Sequence, residues 1–214
     1  MNNSSHFSVG NLSVFLGPMF SGKSTTLLHK IIDFISKELY IIVFKPEMDK
    51  NRLCEEINCT ISTHNKLQFS TETTYDYEKF EIYYFNGEKN LIEETIKKKP
   101  NIIIFEEYHL IYNIFNDIEL YLKKIINLNI NILIISIDYW HTGEPVECIW
   151  KILKDYQAKD IQKRGKCYNC KEPNSTIFTF KNNNISSNNN ELIEIGKEDI
   201  YTPLCKKCFY SLKK

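Results

Sequence analysis

The sequence lacks an excess of charge of either sign. Lysine plus arginine and aspartate plus glutamate each number 27, so the formal net charge is zero. Proteins that bind duplex nucleic acid neutralise its phosphates with a basic surface. We therefore expect no nucleic-acid partner, although the lysine-rich C-terminal part leaves room for a local basic patch.

An apolar run of membrane-spanning length is also lacking. Residues 1–10 are polar and have neither the charged start nor the apolar centre of a signal peptide. We therefore expect no membrane partner and a soluble, cytoplasmic protein. Disulfides are uncommon in that reducing compartment, so the seven cysteines need another explanation.

A phosphate-loop pattern is present near the N-terminus: glycine, four variable residues, glycine, lysine and a hydroxyl residue. It reads Gly17-Pro18-Met19-Phe20-Ser21-Gly22-Lys23-Ser24. An apolar run of strand length precedes it, and residues 24–35 have apolar side chains at helical spacing. Loop amides and the helix N-terminus then point hydrogen-bond donors at a phosphate chain. The pattern predicts ATP binding, with Lys23 on the outer phosphates and Ser24 on magnesium.

Apolar strands and amphipathic helices alternate along the next part of the chain. The predicted strands are residues 12–16, 39–44, 60–63, 81–85, 101–105 and 130–137, and the predicted helices are residues 24–35, 88–98, 114–128 and 148–156. Near-continuous apolar strands are typical of a parallel sheet that is covered on both faces. The prediction is an α/β fold of the phosphate-loop, RecA-like type, with a mostly parallel sheet and helices on both faces.

Polar residues follow three of these strands, at the sheet edge where open α/β folds bind ligands. Asp49 follows the second strand, and it is either near the site or an ordinary solvated loop charge. Glu106 and Glu107 directly follow residues 101–105. We assign Glu106 to the magnesium shell and leave the other carboxylate to accept a proton. The aromatic cluster around 139–141 is either core or ligand contact.

Two Cys-x-x-Cys pairs account for the metal prediction. They are Cys167, Cys170, Cys205 and Cys208. Two such pairs make a tetrahedral four-thiolate zinc site, whereas a redox motif needs only one pair. With four protein thiolates and no open position, the zinc is expected to be structural. It closes a long polar loop, residues 171–204, with Ile193, Ile195 and Tyr201 available for packing. We predict an ATP-binding domain over residues 1–161 and a zinc-binding lasso subdomain over residues 162–214.

The assembled pattern resembles the thymidine kinase family of the cellular and poxvirus type along nearly the whole chain. The segments that carry the resemblance are the Pro-Met-Phe-Ser version of the phosphate loop, Asp49, residues 62–65, residues 104–109, Phe178-Thr179, Glu194-Ile195-Gly196 and residues 201–205. The resemblance implies transfer of the ATP γ-phosphoryl group to the 5′-hydroxyl of thymidine, in pyrimidine deoxynucleoside salvage for DNA synthesis. It also implies a homotetramer.

The resemblance also assigns residue roles. It implies that Glu107 is the general base, that Glu106 and His109 lie with the phosphate loop at the ATP site, and that Asp49 joins Ser24 and Glu106 around magnesium. The lasso would enclose the base of thymidine. The substrate-binding residues it implies are His141, Phe178, Leu192, Ile193, Glu194, Ile195, Gly196 and Tyr201.

Several positions depart from that family's pattern, and they lie near the predicted substrate. Glu106 and His109 stand where the family has Asp and Gln, and residues 138–141 replace an Asp-Gly-x-Phe stretch. These changes keep alternatives open: a kinase with altered deoxynucleoside specificity, or a nucleotide-binding regulatory homologue that has lost phosphoryl transfer. A third alternative is an ATPase with a zinc ribbon that acts on nucleic acid, against which the zero net charge argues.

Overall fold

The computed structural model describes residues 11–49, 60–62, 68–70, 79–115, 117–182 and 200–213. Its strands are β1 (Leu12–Leu16), β2 (Ile41–Pro46), β3 (Thr60–Ser62), β4 (Gln68–Ser70), β5 (Phe80–Phe85), β6 (Ile102–Phe105), β7 (Asn131–Ser136), β8 (Lys159–Gln162), β9 (Thr176–Lys181) and β10 (Tyr201–Cys205). Its helices are α1 (Lys23–Ser36), α2 (Lys89–Lys97), α3 (Tyr108–Ile114), α4 (Ile118–Asn127), α5 (Glu147–Asp155) and α6 (Lys206–Leu212).

Six strands form the main sheet in the order β5-β2-β6-β7-β1-β8. Every neighbouring pair in it is parallel. Parallel strands need crossover connections, and the helices between them bury both faces of the sheet. The mostly parallel α/β fold predicted from the sequence is confirmed.

Alternate side chains of each strand feed two separate cores, one on each face of the sheet. Along β1, Val14 lies in one core and Phe15 in the other. Helix α1 covers the Phe15 face with Leu27, Ile31 and Phe34, which recur at helical spacing. Helices α2 to α5 supply buried residues to the opposite face. The sheet therefore lies between two layers of helices. The helices cover its faces but not the ends of its strands, where a site can form.

The structure corrects the prediction of a single helix over residues 114–128. Helix α3 begins earlier, at Tyr108, and ends at Ile114, and α4 begins at Ile118. Phe115 is extended there, and its buried ring packs 5.5 Å from that of Phe85. An aromatic side chain drawn into the core between the helices thus replaces the helical turn that periodicity predicted.

Several strands also differ from the prediction, and two of the differences bear on the site and the domain boundary. Pro46 closes β2 as its last residue, paired with Phe85 of β5, instead of standing beyond the strand. Strand β8 was not predicted at all, and it extends the main sheet up to Gln162, across the predicted domain boundary at residues 161 and 162. The boundary itself stays a prediction.

The C-terminal part forms a small unit of its own. Strands β9 and β10 pair antiparallel, and α6 follows directly. A compact core joins Phe178, Leu204 and Phe209 with the cysteines Cys167 and Cys208. The ends of the predicted lasso are therefore a hairpin, while residues 183–199 lie outside the described part. None of the described helices is long and apolar enough to span a membrane.

Candidate active site

The phosphate loop leaves the carboxyl end of β1 and enters α1, as the sequence predicted. Gly22 sits at the N-cap of α1 with φ 84°, a left-handed conformation that glycine adopts without strain. A side chain at Gly17 would put its Cβ 2.1 Å from the Lys163 carbonyl oxygen. Glycine at this position lets the loop pass directly against the chain that follows β8.

Lys23, which is predicted to bind the outer phosphates, is buried against the phosphate loop. Its ammonium group donates hydrogen bonds to the carbonyl oxygens of Gly17 (2.9 Å) and Pro18 (2.8 Å). Ser24, at the start of the same helix, is half-buried. The carbonyl oxygens of the loop therefore hold the lysine against the loop. The oxygens of a bound phosphate chain would compete with these carbonyls for the N–H donors of Lys23.

Lys45 joins two of the predicted magnesium ligands. Its ammonium nitrogen lies 3.4 Å from Asp49 Oδ2 and 3.4 Å from Glu106 Oε2. All three side chains are nearly excluded from solvent. The structure brings Asp49 and Glu106 together, because both approach the Lys45 ammonium group, and their role as magnesium ligands stays a prediction.

Burial and charge act in opposite directions in this cluster. Burial by itself would lower the pKa of Lys45, but the adjacent carboxylates of Glu106 and Asp49 outweigh it and raise that pKa. Burial raises the pKa of the Glu106 carboxyl, against the opposing attraction of Lys45. The lysine therefore stays charged, and it offsets part of the cost of two acids placed side by side.

Replacing Lys45 with methionine should destabilise the protein strongly. The change leaves two buried carboxylates without their cation, and breaking a buried pair in this way costs about 3–5 kcal/mol. The matched control is Lys37→Met, since Lys37 also pairs with an aspartate four residues away, Asp33, but with both side chains about half exposed. The control should cost less than about 0.5 kcal/mol. Urea denaturation of the two variants checks the difference, and equal losses would contradict the role of Lys45.

Glu107, the predicted general base, has an unusual backbone. Its φ is 49° and its ψ is 47°, so it is a left-handed residue at the N-cap of α3. A non-glycine residue in this region costs on the order of 1 kcal/mol and is common at functional sites. Its side chain is 20% exposed, unlike that of its buried neighbour Glu106. The turn therefore places the Glu106 carboxylate in the interior and the Glu107 carboxylate at the open edge of the sheet.

His109 lies two residues further along, on the first turn of α3. Its Nδ1 is 3.7 Å from Glu107 Oε2 and 3.1 Å from the Ser136 hydroxyl at the end of β7. The Trp140 ring meets the imidazole edge to face, with centroids 5.4 Å apart. His109 therefore links Glu107 to the segment after β7. Its predicted contact with ATP stays a prediction.

The four predicted metal ligands converge. The sulfur atoms of Cys167, Cys170, Cys205 and Cys208 all lie within 4.8 Å of one another. In particular, Cys170 Sγ and Cys205 Sγ are 3.7 Å apart. A tetrahedral zinc with Zn–S bonds of about 2.3 Å separates its sulfurs by about 3.8 Å. The cluster could therefore hold a metal ion, and its sulfur spacing is compatible with a structural zinc ion.

The surroundings of Cys167 favour the thiolate that a metal requires. Burial would raise the pKa of this thiol, but backbone N–H groups of Cys205, Cys170 and Asn169 lower it to about 6. The Cys205 amide nitrogen lies 3.3 Å from Cys167 Sγ. Backbone amides that point at a sulfur stabilise its charged form, as they do in metal sites.

The cysteine-bearing unit contacts the phosphate loop directly. The Met19 amide donates a hydrogen bond to the Thr179 hydroxyl of β9, at 2.9 Å. The Tyr139 ring packs on Phe178 of the same strand, with centroids 4.9 Å apart. Lys213 donates a hydrogen bond to the Thr142 carbonyl. The hairpin thus lies against both the loop and the segment after β7.

The predicted substrate residues fall into three groups. His141 and Tyr201 are neighbours, with ring centroids 6.4 Å apart. Phe178 is 4% exposed and stacks on Phe209, with ring centroids 4.4 Å apart, so its position is that of a core residue of the hairpin unit. The remaining predicted residues lie outside the described part of the chain: Leu192, Ile193, Glu194, Ile195 and Gly196.

Sequence reasoning did not identify Lys45, Thr179 or Arg164 as site residues. Lys45 carried a usable signal, because it is a charged residue inside an otherwise apolar strand. Thr179 was noted only as part of the segment Phe178-Thr179 that carries the family resemblance, and Arg164 carried no signal. Their contacts depend on how the hairpin and β8 lie against β1, and neither element was predicted.

The parallel sheet, the loop between β1 and α1 and the four-cysteine cluster together define a phosphate-loop α/β protein with a C-terminal unit that could hold a metal ion. Comparison of sequences narrows this class. Residues 10–209 match the thymidine kinase family, and the chain belongs to it.

Relatives that carry this name come from viruses and bacteria. The chain is 28% identical to the thymidine kinase of Amsacta moorei entomopoxvirus over 201 residues, 93% of this chain and 97% of the relative. It is 25% identical to that of Pseudothermotoga lettingae over 200 residues, 94% of this chain and 95% of the relative. The resemblance noted from the sequence is confirmed at the level of the family.

A solved structure with a different role shares the fold. The flagellar accessory protein FlaH from Methanocaldococcus jannaschii aligns with a TM-score of 0.50 over 72% of this chain and 71% of its own, at 13% identity. At that identity the likeness concerns the fold alone, since one fold supports many functions.

Proposed function

We propose that this protein transfers the γ-phosphoryl group of ATP to the 5′-hydroxyl of thymidine, a reaction of pyrimidine deoxynucleoside salvage. The observation that carries the proposal is the strained, solvent-accessible Glu107 at the same sheet edge as the phosphate loop. Strand β7 lies between β6 and β1, so Glu107 and the loop are about two strand spacings, or about 10 Å, apart. That gap suits a phosphoryl group between donor and acceptor.

The residues around Lys45 fit a magnesium ion. Asp49 and Glu106 supply carboxylate oxygens that approach one point beside the Lys45 ammonium group, and the buried Glu106 Oε2 meets that group without a well-aligned hydrogen bond in the described part of the chain. Together with the Ser24 hydroxyl these are the oxygen donors that magnesium prefers. When bound, magnesium neutralises charge on the phosphates.

The chain's own groups would then do the rest of the chemistry. Lys23 would exchange its bonds to Gly17 and Pro18 for bonds to phosphate oxygens, which keeps the donor in place. Glu107 would accept the proton of the attacking hydroxyl, since its carboxylate is the accessible one of the pair. The lasso would exclude water, which otherwise competes as the phosphoryl acceptor.

Altered deoxynucleoside specificity is a second candidate, and the observation that favours it is Trp140. Its half-buried ring packs on His109 beside the predicted base site, together with Tyr139 on Phe178. Bulky rings at this place would reduce the space for a base. The homotetramer that the resemblance implies stays a prediction.

The test is ATP-dependent phosphorylation of the four deoxynucleosides by purified protein with magnesium. We expect thymidine to be the preferred acceptor, because the proposal assigns the site to it. Preference for another deoxynucleoside would favour the second candidate. Zinc-containing protein that binds ATP but phosphorylates none of the four would overturn the proposal in favour of a regulatory homologue.

A further inference from the structure

A buried ion pair joins the chain after β7 to the chain after β8. Arg164 Nη1 lies 2.7 Å from Asp138 Oδ2. Asp138 is 1% exposed, and the Arg164 side chain is 22% exposed. Neither residue has a role in the reaction proposed above, so the pair needs a separate explanation.

The strand register places this pair across the base of the phosphate loop. Leu16, the last residue of β1, pairs with Ser136 of β7 on one side and with Gln162 of β8 on the other. Asp138 and Arg164 follow these two partners, and the loop starts between them. Because β7 and β8 are separated by two strand spacings, about 10 Å, an arginine and an aspartate that meet must reach across the first residues of the loop.

Backbone contacts on both sides of Arg164 bring it against the loop. The Lys163 amide donates a hydrogen bond to the Leu16 carbonyl at 2.6 Å, and its own carbonyl occupies the space beside Gly17. A side chain at Gly165 would approach the Phe20 carbonyl to 3.3 Å. The segment 163–165 is therefore fitted to the loop from Gly17 to Phe20.

The other end of the pair belongs to the predicted nucleoside side of the site. The Asp138 carbonyl accepts a hydrogen bond from the Val146 amide at 3.0 Å, which closes the segment 138–146 into a small hairpin. That segment carries Tyr139, which packs on Phe178, and Trp140, which packs on His109. The ion pair thus spans from the chain beside the phosphate loop to the chain beside the predicted base site.

The ion pair between Asp138 and Arg164 is expected to add little to the stability of the fold. Both Asp138 carboxylate oxygens and Arg164 Nη1 are buried without a well-aligned hydrogen bond in the described residues, so the contact rests on charge. Buried charges with incomplete hydrogen bonding seldom stabilise more than apolar residues of the same size. A role in holding position explains such a pair better than a contribution to stability.

We propose that Arg164 is a positioning residue, which acts through Asp138 to fix the phosphate loop relative to the segment 138–146. Its kinetic consequence rests on the function proposed above. Its structural consequence does not, because the loop should be held even without nucleotide.

The test compares Arg164→Gln with unmodified protein by two measurements. In nucleotide-free protein we expect amide hydrogen exchange in residues 17–22 to become about fivefold faster or more, because the ion pair that holds the loop in place is lost. In the phosphorylation assay we expect KM for ATP to rise about tenfold with kcat within about threefold, since the donor is misplaced and the base is intact. KM for the nucleoside should change less than KM for ATP.

A matched control and a second variant keep the test decisive. Lys151→Gln removes the cation of the surface pair with Glu119 and should change neither measurement. If Arg164→Gln does not fold, the double variant Asp138→Asn/Arg164→Gln removes both charges and should fold with the same faster exchange. Unchanged loop exchange in either folded variant overturns the proposal, even if the protein is an active kinase. If the unmodified protein has no kinase activity but loop exchange is still faster in the variant, the positioning role of Arg164 is supported and only the proposed function is overturned.

Discussion

Glu107→Gln should lower kcat by about a thousandfold, within the range that positioned proton acceptors contribute. The amide has almost the shape of the carboxylate and can keep the left-handed backbone at the start of α3. It cannot accept the proton of the nucleoside hydroxyl. ATP binding should be nearly unchanged, because Lys23 and the phosphate loop are not altered. Single-turnover kinetics and ATP titration measure the two effects separately.

The control for this change is Glu94→Gln, an exposed glutamate on α2, to which neither the sequence nor the structure gives a role in the site. It should leave turnover and ATP binding as they are. Near-normal turnover in Glu107→Gln would show that another group accepts the proton. The nearest candidate, Glu106, is buried against Lys45, so its involvement would require that cluster to open.

Cys205→Ser should remove the metal and the order of the C-terminal unit. We expect about one zinc per chain in unmodified protein and less than about a tenth of that in the variant, since three thiolates bind structural zinc far more weakly than four. Hydrogen exchange in β9 and β10 should rise, because the small core around Phe178 and Phe209 is closed by two of the cysteines. Metal analysis and exchange measured on the same sample check both expectations.

Turnover should fall in this variant as well, by about a hundredfold. The Met19 amide would lose its acceptor on Thr179, and Tyr139 would lose its packing against Phe178. The control is Cys148→Ala on α5, whose thiol is buried away from the cluster with a pKa raised to about 12. It should keep its zinc. Full zinc content in Cys205→Ser would exclude the four-thiolate site.

The main sheet was largely predictable because most of its strands are apolar and buried along most of their length. Strand β1 has the predicted bounds, and all its side chains are buried. Strand β8 escaped prediction because it lies at the sheet edge with mostly exposed side chains, so it has no apolar run. Helix α3 escaped for the opposite reason: its first four residues are all buried, which leaves no polar face for a helical period.

The site was predictable where it depends on the order of elements and unpredictable where it depends on their neighbours in space. Glu106, Glu107 and Asp49 each follow a strand, and parallel strands put such residues on one edge. The contact of Lys45 with Glu106 needed β2 beside β6, whereas Asp49 follows Lys45 by four residues in the sequence. The pair of Asp138 and Arg164 depends on the position of β1 between β7 and β8. No local sequence pattern predicts that order of strands.

The place of β1 in the sheet has a consequence for how the chain is made. Its two neighbours are β7 and β8, which begin at Asn131 and Lys159. During synthesis at about 5–20 residues per second, the first strand leaves the ribosome on the order of 10 s before either partner exists. The phosphate loop cannot be fixed during that interval. The nucleotide site, although encoded near the start of the chain, is therefore completed only when most of the protein has been made.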